Sequence, residues 1–247
     1  MKRRNLLAML GAAFVAGCSK IGETAWFGAL VDGAEGWHRG LHRGLGFGRI
    51  TMAPEFDRSE VSPFFRGNGN VEVDSDEYRA HLAAGFADWR FTVGGLVDRP
   101  LSLSLAQLKA LPQRTQVTRH DCVEGWSAIA EWTGPQLSSV LAQAGVRPEA
   151  RYVVFRCADS FRQGPYYESC DMDDALHPQT VLAHALNGAA LPELNGAPLR
   201  LRIERQLGYK QAKYLTGIEL VASFADIGLG KGGYWEDHVG YQWYAGI

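Results

Sequence analysis

The stretch Arg119-His120-Asp121-Cys122-Val123-Glu124-Gly125-Trp126-Ser127 decides how the rest of this chain is interpreted. It follows an alternating segment, residues 116–120, that predicts a strand, and Gly125 then indicates a turn. Cys122 is therefore expected where a strand ends in a loop, a frequent position for residues that bind or react. A cysteine there can be a nucleophile, a ligand for a soft metal, half of a disulfide or, most commonly, a small buried hydrophobic residue.

The charged residues beside Cys122 do not choose between these roles. Arg119 and His120 would favour a thiolate, because a nearby positive charge stabilises the negative sulfur. Asp121 and Glu124 would oppose it for the opposite reason. The local charge therefore leaves all four roles open, and a longer pattern is needed.

Extended through Trp132-Thr133-Gly134-Pro135, the stretch resembles the molybdenum-binding segment of the sulfite oxidase family. The resemblance is closest to the branch that contains periplasmic methionine sulfoxide reductase catalytic subunits. In that family the cysteine matching Cys122 ligates molybdenum beside the dithiolene of a molybdopterin, and thiolate suits a high-valent, sulfur-bound metal. The resemblance implies Mo-molybdopterin as the cofactor, Cys122 as the metal ligand and Glu124 as a candidate proton carrier. Glu124 could instead pair with Arg119 at the surface.

A second stretch runs from Asn195 to Lys213 and is rich in positive charge. Between Arg200 and Lys213 it carries five cations and one acid. Arg200 and Arg202 alternate with apolar residues, so both are expected on one face of a strand, which by default would be a solvated face. The alternative is a phosphate site, because arginine binds phosphate bidentately and Gly208 permits close approach of the backbone to an anion.

The spacing of the second stretch is similar to the pterin-phosphate motif of the same family. The resemblance implies five cofactor-binding residues: Asn195, Arg200, Gln211, Ala212 and Lys213. Asn68 and Arg66 lie in the position of the family's N-terminal cofactor loop, although an exposed turn is the simpler interpretation. Cys157 has the spacing from Cys122 of a family residue that touches the cofactor. Two stretches that begin 73 residues apart, at Cys122 and Asn195, thus imply the same ligand.

Cys157 has a second interpretation. In an oxidising compartment it could form a disulfide with Cys170, thirteen residues later. Two independent buried thiols are favoured, because Cys157 ends an apolar segment, residues 152–157, that predicts a buried strand.

Two other groups of residues could be metal ligands. His38 and His42 lie four residues apart and could share a helix face, but a solvated basic segment is favoured because glycine disfavours the helix. Residues 171–186 are predicted to open acidic and become helical. Four of their side chains could form a cluster: Asp173, Asp174, His177 and His184. Helix-start acids beside a structural histidine are favoured, because adjacent residues face apart on a helix.

The N-terminus predicts an export signal. An apolar run, residues 6–15, follows a basic start and precedes small residues, which is typical of a signal rather than a membrane span. Val15-Ala16-Gly17-Cys18 is typical of a lipobox, which would make Cys18 the lipidated first residue of the mature protein. Arg3-Arg4 indicates either a twin-arginine signal or an ordinary basic start. Because a cofactor inserted in the cytoplasm requires folded export, we expect a periplasmic, membrane-anchored lipoprotein exported folded.

The composition predicts one globular domain with tails. The chain has 247 residues, of which 46% are hydrophobic, and a net charge of −2, so nothing indicates nucleic-acid binding. Strands interleave with short helices, which predicts an α+β class: strands at 89–93, 116–120, 152–157 and 214–221, helices at 74–84, 104–111 and 135–145. The resemblance implies the sulfite oxidase-type molybdopterin-binding fold. We divide the chain into an export signal with lipobox (1–17), a glycine-rich tether with one short helix (18–60), a catalytic domain (61–225) and a glycine/aromatic tail (226–247).

The resemblance also implies an activity, namely two-electron oxygen-atom transfer at a mononuclear molybdenum centre. Sulfite-oxidising members carry an arginine five residues after the ligand cysteine, where this chain has Ser127. Reduction of an S-oxide or N-oxide, on a small molecule or a protein, is therefore favoured over sulfite oxidation. The Cys-x-x-Cys-His haem motif is absent, so a separate electron partner, such as a membrane b-type cytochrome, is expected. The chain ends without the immunoglobulin-like dimerisation domain of sulfite oxidases, so a monomer is expected.

Two other classes remain open. A zinc hydrolase could use Cys122 with His120, although a full ligand set is missing. A non-catalytic lipoprotein could bind an anion or a partner through the basic strand and the aromatic tail. The tail itself could cover the cofactor site, dock on a partner or simply pack on the domain surface.

Overall fold

The computed structural model describes residues 24–45 and 51–247. The chain divides into two compact units, residues 1–48 and 49–247. The predicted export signal and Cys18 lie outside the described residues. Within the described residues, no helix combines the length and the apolar character needed to cross a membrane.

The first unit contains helix α1 (Ala25–Leu45), which has 21 residues. The sequence predicts only one short helix here, and the difference comes from its five glycines, which each disfavour a helix by about 1 kcal/mol relative to alanine. The apolar side chains nevertheless recur at helical spacing, and this amphipathic pattern outweighs the glycines. His38 and His42 lie together on this helix, with ring centroids 4.0 Å apart.

The second unit is built on a five-stranded mixed sheet. Its strands are β1 (Arg90–Gly95), β2 (Leu101–Ser104), β5 (Tyr152–Phe161), β6 (Gly164–Asp171) and β11 (Leu215–Val221). Their order is β2-β1-β11-β5-β6, in which only the β1–β11 pair is parallel. These strands confirm the predicted segments at 89–93, 152–157 and 214–221.

Two smaller sheets carry both stretches singled out in the sequence. A four-stranded sheet has the order β3-β4-β8-β9, from β3 (Gln113–Cys122), β4 (Trp126–Pro135), β8 (Ala185–Leu186) and β9 (Ala189–Ala190). A two-stranded sheet pairs β7 (Val181–Ala183) with β10 (Arg200–Arg202). The β3–β4 hairpin pairs Cys122 with Trp126, so the cysteine lies at the end of a strand as predicted.

Short helices connect the strands. They are α2 (Asp76–Ala83), α3 (Leu105–Ala110), α4 (Leu137–Ala144), α5 (Met172–Ala175) and α6 (Tyr234–His238). Ser104 and Gln107 form a capping box at the start of α3, and α4 ends at Gly145, whose φ of 69° suits glycine. These helices and sheets confirm the α+β class.

The prediction that residues 171–186 become helical is wrong beyond α5. Pro178 disfavours helical backbone at the residue before it, so the helix ends early. Residues 181–183 then form β7, which pairs with Arg200–Arg202 and is fully buried. This pairing joins segments distant in sequence, and local propensity does not report it.

The hydrophobic core consists of two clusters. The larger lies on the five-stranded sheet and includes Phe91, Leu141 and Phe155. The smaller contains Phe65 and Trp132 and lies against the β3–β4 sheet. The compact unit also extends beyond the predicted catalytic domain at both ends: Glu55 bridges to Thr118, and Tyr234 and Tyr244 of the tail are buried.

Candidate active site

A cavity of about 250 Å³ lies beside the end of the β3–β4 hairpin. Five of the predicted site residues line it: Asn68, Cys122, Glu124, Gln211 and Lys213. These residues come from three segments that are far apart in sequence. The structure therefore brings both predicted stretches and the N-terminal loop to one cavity.

Cys122 is half-buried at the cavity wall, on the turn of the β3–β4 hairpin. Burial raises the pKa of its thiol; the backbone N–H of Glu124 opposes this effect, and the Glu124 charge adds to it. Arg119, predicted to lower this pKa, pairs with Asp121 at 3.0 Å instead, whereas the positive charge of Arg200 does lower it. A thiolate at Cys122 is therefore favoured when a metal takes the place of the proton.

Glu124 faces the same cavity and connects two loops. Its carboxylate accepts hydrogen bonds from Trp126 Nε1 at 3.0 Å and from the backbone N–H of Gly69 at 3.3 Å. The alternative pairing of Glu124 with Arg119 is not formed, because Arg119 binds Asp121 instead. Glu124 is thus placed beside the predicted metal ligand and remains a candidate proton carrier.

Arg200 and Arg202 are completely buried, so the default interpretation of a solvated sheet face is wrong. They do share one face, because both guanidinium groups lie over the Trp132 ring, at 4.9 and 4.3 Å from its centroid. Arg202 is neutralised by two hydrogen bonds to Glu204, of 3.0 and 2.5 Å. Within the part of the chain that the structure describes, Arg200 donates to two backbone carbonyls, those of Asn195 at 3.0 Å and Gln211 at 3.3 Å.

Among residues 24–45 and 51–247, no carboxylate forms an ion pair with Arg200, so its buried charge is balanced only by carbonyl dipoles. Burial, with Arg202 as a second cause, lowers the pKa of Arg200 to about 9. Lys213 is in a similar position: its ammonium donates to the carbonyls of Asn70 and Leu194. Burial and then Arg200 lower the pKa of Lys213 to about 7. Two buried cations with carbonyl partners form a site that an anion would stabilise.

His120 contributes a donor that the sequence does not reveal. It is fully buried, and its Nδ1 lies 3.0 Å from Arg202 Nη1. An arginine N–H can only donate, so Nδ1 accepts and the proton of the neutral ring lies on Nε2. Burial, followed by Arg202 and Arg200, lowers the pKa of His120 and keeps the ring neutral. Nε2 points toward Gly208, where a Cβ would lie 2.5 Å away.

Several buried polar atoms without a hydrogen-bond partner among the described residues belong to residues that line this cavity or to the two predicted stretches. They include Asn68 Oδ1, His120 Nε2, Arg200 Nε and Gln211 Oε1. Each such atom costs about 1–3 kcal/mol, which a bound ligand with donors and acceptors would recover. A pterin with a terminal phosphate has donors, acceptors and negative charge, so this set of residues fits the cofactor implied by the sequence.

The remaining predicted residues lie outside the cavity wall. The Asn195 side chain donates to the carbonyl of Arg66 at 3.4 Å, and the Ala212 carbonyl accepts from the N–H of Leu201 at 2.8 Å. Both residues therefore help to hold in place the stretch that carries Arg200 and Lys213. Cys157 lines a neighbouring cavity instead. Cys157 and Cys170 are both free thiols in this structure.

The sequence missed several residues that line the cavity. Asp159 lines both this cavity and the neighbouring one, and no sequence motif predicted it. Trp235 and Tyr241 show that the aromatic tail packs beside the cavity, one of the three alternatives open for it. Helix α6 is held there by Glu236, which binds Lys210 at 2.5 Å.

The other metal hypotheses find no ligand set. No group of three or more histidine, cysteine, aspartate or glutamate side chains able to hold a metal ion occurs among residues 24–45 and 51–247. Asp174 instead accepts from Gln206 Nε2 at 2.6 Å, and His177 Nε2 lies 3.1 Å from the Thr51 carbonyl. His184 Nε2 lies 2.9 Å from Gln113 Oε1. These side chains have structural partners.

Comparison with known proteins agrees with this site. A family model described as an oxidoreductase molybdopterin binding domain matches residues 79–226. The chain is 38% identical over 239 residues to a provisionally named protein-methionine-sulfoxide reductase subunit YedZ1 of Azospira oryzae, covering 96% of this chain and 83% of that protein. It is 36% identical over 158 residues to the protein-methionine-sulfoxide reductase catalytic subunit MsrP of Xanthomonas axonopodis pv. citri, covering 60% of this chain and 49% of that protein.

A solved structure shares the fold. The sulfane dehydrogenase SoxCD from Paracoccus pantotrophus superposes with a TM-score of 0.51 at 25% identity, over 55% of this chain and 39% of that chain. The chain thus spans about half the length of the Xanthomonas relative and less of the SoxCD chain.

The family match covers the strand that ends at Cys122, the buried cation Arg200 and the cavity residue Lys213. The predicted family and fold are therefore confirmed. The predicted cofactor is confirmed as well, and the buried cations and unpaired polar atoms of the site fit it. The chain belongs to the sulfite oxidase family of oxidoreductases with a molybdopterin-binding domain, and it is an enzyme that uses Mo-molybdopterin.

Proposed function

We propose that this enzyme reduces an S-oxide, with methionine sulfoxide as the substrate class, by two-electron oxygen-atom transfer. The observation that carries the proposal is the charge of the cavity. Among the residues that line it, two acids, Glu124 and Asp159, stand against one cation, Lys213. Lys213 is also the residue assigned to the cofactor, so the space beside Cys122 favours a neutral substrate over an anion such as sulfite. Ser127 in place of an anion-binding arginine and the names of the relatives support the same direction.

The bound cofactor supplies the oxygen-atom transfer, and the chain supplies position and protons. Reduction of a sulfoxide consumes two electrons and two protons and releases a thioether and water. Cys122, at the cavity wall, would hold the metal. Glu124, fixed by Trp126 and Gly69, is the carboxylate placed to pass protons to the reacting oxygen.

The location and partners of the enzyme belong to the same proposal. The basic start, the apolar run and the lipobox support a periplasmic lipoprotein anchored through Cys18 and exported folded. Electrons then come from a separate carrier, which we take to be a membrane b-type cytochrome. The word "subunit" in the names of the relatives supports such a partner. The enzyme itself is proposed to be a monomer.

The test uses protein from a host that makes molybdopterin and exports folded proteins. Molybdenum and pterin are quantified, and turnover is measured with methionine sulfoxide and a reduced viologen dye, and with sulfite and an oxidised dye. Sulfoxide reduction that is lost in Cys122→Ser supports the proposal. Turnover with sulfite but not with methionine sulfoxide would show that the enzyme oxidises its substrate instead of reducing it. Sulfoxide reduction equal in Cys122→Ser and wild type would reject the assigned metal ligand, and a folded protein without molybdenum would favour the non-catalytic lipoprotein.

A further inference from the structure

Helix α1 carries one face of large apolar side chains: Trp26, Leu30, Trp37 and Leu41. At 3.6 residues per turn, these four side chains fall within about 60° around the helix axis. They are exposed by 61%, 43%, 65% and 57%, respectively. Exposed tryptophans aligned on one helix face are unusual in a soluble unit and mark an interaction surface.

The opposite face of α1 is charged. Glu35, Arg39 and Arg43 lie there, with His38 and His42 beside the arginines. No acid follows Glu35 in the sequence until Glu55, so the charges of the second half of the helix are positive. The helix therefore combines an apolar strip that contains two tryptophans with a basic end.

Five glycines make α1 a weak helix on its own. Each costs about 1 kcal/mol relative to alanine, and most of the stability of helices in proteins comes from packing of an amphipathic face. The helix must therefore gain stability from a surface that covers its apolar face. A flat surface suits it, because Gly33, Gly40 and Gly44 lie on or beside the apolar strip and leave it without further side chains.

We propose that α1 lies in the plane of a membrane surface that contains anionic phospholipid. The tryptophan and leucine strip would enter the boundary between headgroups and acyl chains, and the basic end would contact phosphate groups. Helices of this kind are recognised by a strong apolar face, tryptophans and basic residues on the polar face. Charged residues in the middle of α1 suit a helix in the membrane plane.

The position of α1 along the chain supports lipid as the occupant. The proposed lipidation site, Cys18, lies seven residues before Ala25, a distance of at most about 25 Å when extended. This step rests on the proposed export and lipidation. An acyl anchor would hold α1 at the membrane, so even modest affinity of the helix would keep it there.

The test uses the full chain loaded with cofactor and carrying Cys18→Ser, so that no acyl group contributes. Vesicles of phosphatidylcholine alone are compared with vesicles that also contain phosphatidylglycerol. Hydrogen exchange of residues 25–45 reports on α1 itself and separates its binding from that of the N-terminal residues. We expect protection of α1 only with anionic vesicles. This protection should be lost in 0.5 M salt, because the Debye length falls from about 10 Å at 0.1 M to roughly 4 Å.

Two variants test whether vesicle binding depends on the apolar strip or on any exposed apolar residue of α1. Trp37→Ser with Leu41→Ser removes half of the strip and should weaken vesicle binding through α1 by at least about tenfold. Val31→Ser is the matched control, because Val31 is 48% exposed but lies outside the strip. Dye-dependent activity should be equal in all of these proteins. Equal vesicle protection in the strip variant, or α1 protection that depends on protein concentration and not on lipid, would overturn the proposal and indicate a protein partner or a second copy.

Discussion

Lys213 donates a hydrogen bond to the backbone carbonyl of Asn70, a residue 143 positions earlier in the chain. This contact joins the N-terminal loop that carries Asn68 to the cation-rich stretch that carries Arg200. Both residues line the same cavity. The ammonium group of Lys213 therefore holds the N-terminal loop in place and also faces the predicted site of the cofactor phosphate. The site is therefore assembled by a cation that carbonyl groups only partly satisfy.

Replacement of Cys122 should abolish turnover while the fold survives. Cys122→Ser removes the thiolate, and a serine oxygen is a poor substitute as a soft ligand, so we expect activity to fall by more than about a hundredfold. Dye-dependent turnover per bound pterin is the measurement. Cys170→Ala is the control, since Cys170 is buried and lies outside the cavity. If Cys122→Ser retained activity comparable to the control, the assigned metal ligand would be wrong.

Loss of the Lys213 charge, or of the guanidinium geometry of Arg200, should lower cofactor occupancy. Lys213→Met keeps the length of the side chain and removes its charge, and Arg200→Lys keeps a charge and loses the bidentate geometry. We expect pterin and molybdenum per chain to fall by about tenfold or more in purified Lys213→Met, because a charge-assisted contact to phosphate contributes about 1.5–3 kcal/mol. Arg147→Ala, which removes an exposed arginine paired with Asp98, should leave occupancy unchanged. Full occupancy in Lys213→Met would remove the lysine from the cofactor site.

Anion binding to the cofactor-free protein should depend on pH through Lys213. Burial lowers the pKa of its ammonium to about 7, whereas the ordinary value is 10.5. Above pH 7 the free Lys213 side chain is neutral, while Arg200 keeps its charge to about pH 9, so Lys213 must take up a proton to bind an anion. Affinity should therefore fall by up to about tenfold per pH unit above 7 and stay level below it.

Sulfate is a suitable probe for this effect, because its charge is constant across the range. Titration calorimetry between pH 6 and 8.5 measures the slope, and Lys213→Met should show weak binding without one. A slope unchanged in Lys213→Met would assign the proton to another group.

Asp159 should limit the stability of the cofactor-free protein at neutral pH. Burial raises the pKa of its carboxyl to about 6, and Asn70 Nδ2 binds only one of its oxygens, at 3.0 Å. The folded state then binds more protons than the unfolded state between about pH 4 and 6, so stability falls as pH rises through this window. Asp159→Asn removes the buried charge and should stabilise the protein by about 1–3 kcal/mol at pH 8.

Urea unfolding at pH 4 and pH 8 measures this difference. The two proteins should have nearly equal stability at pH 4, where the carboxyl is protonated. Asp226→Asn, a change at an exposed aspartate, is the control and should have little effect at either pH. A stabilisation of equal size at both pH values would show that the charge of Asp159 is not its cause.

A methyl group at Gly208 should disturb the site more than the fold. A Cβ at this position would lie 2.5 Å from His120 Nε2 and 3.1 Å from the Asp121 carbonyl, next to Cys122, the proposed metal ligand. Gly208→Ala should therefore reduce molybdenum content several-fold. Gly94→Ala meets nothing within 4 Å and should not. Equal metal contents in the two variants would argue against close approach at Gly208.

Several elements of the fold could be predicted because their signals are local. The capping residues Ser104 and Gln107 define α3, Gly145 ends α4, and alternation defines β3 up to Cys122. Residues 181–186 could not be predicted, because their strands depend on partners elsewhere in the chain, such as Arg200–Arg202. The length of α1 was underestimated because glycine content outweighed amphipathic spacing in the prediction.

The sequence by itself determined the family, the cofactor, the strand end at Cys122 and the two stretches that meet at the cavity. Their motifs are contiguous, so their chemistry can be read without the fold. Only the tertiary structure decided which cation keeps its charge unneutralised: Arg202 binds Glu204, whereas Arg200 binds carbonyl oxygens. It also placed Asp159 and Trp235 at the cavity. Burial and electrostatic environment are set by segments distant in sequence, and these appear only when the chain is folded.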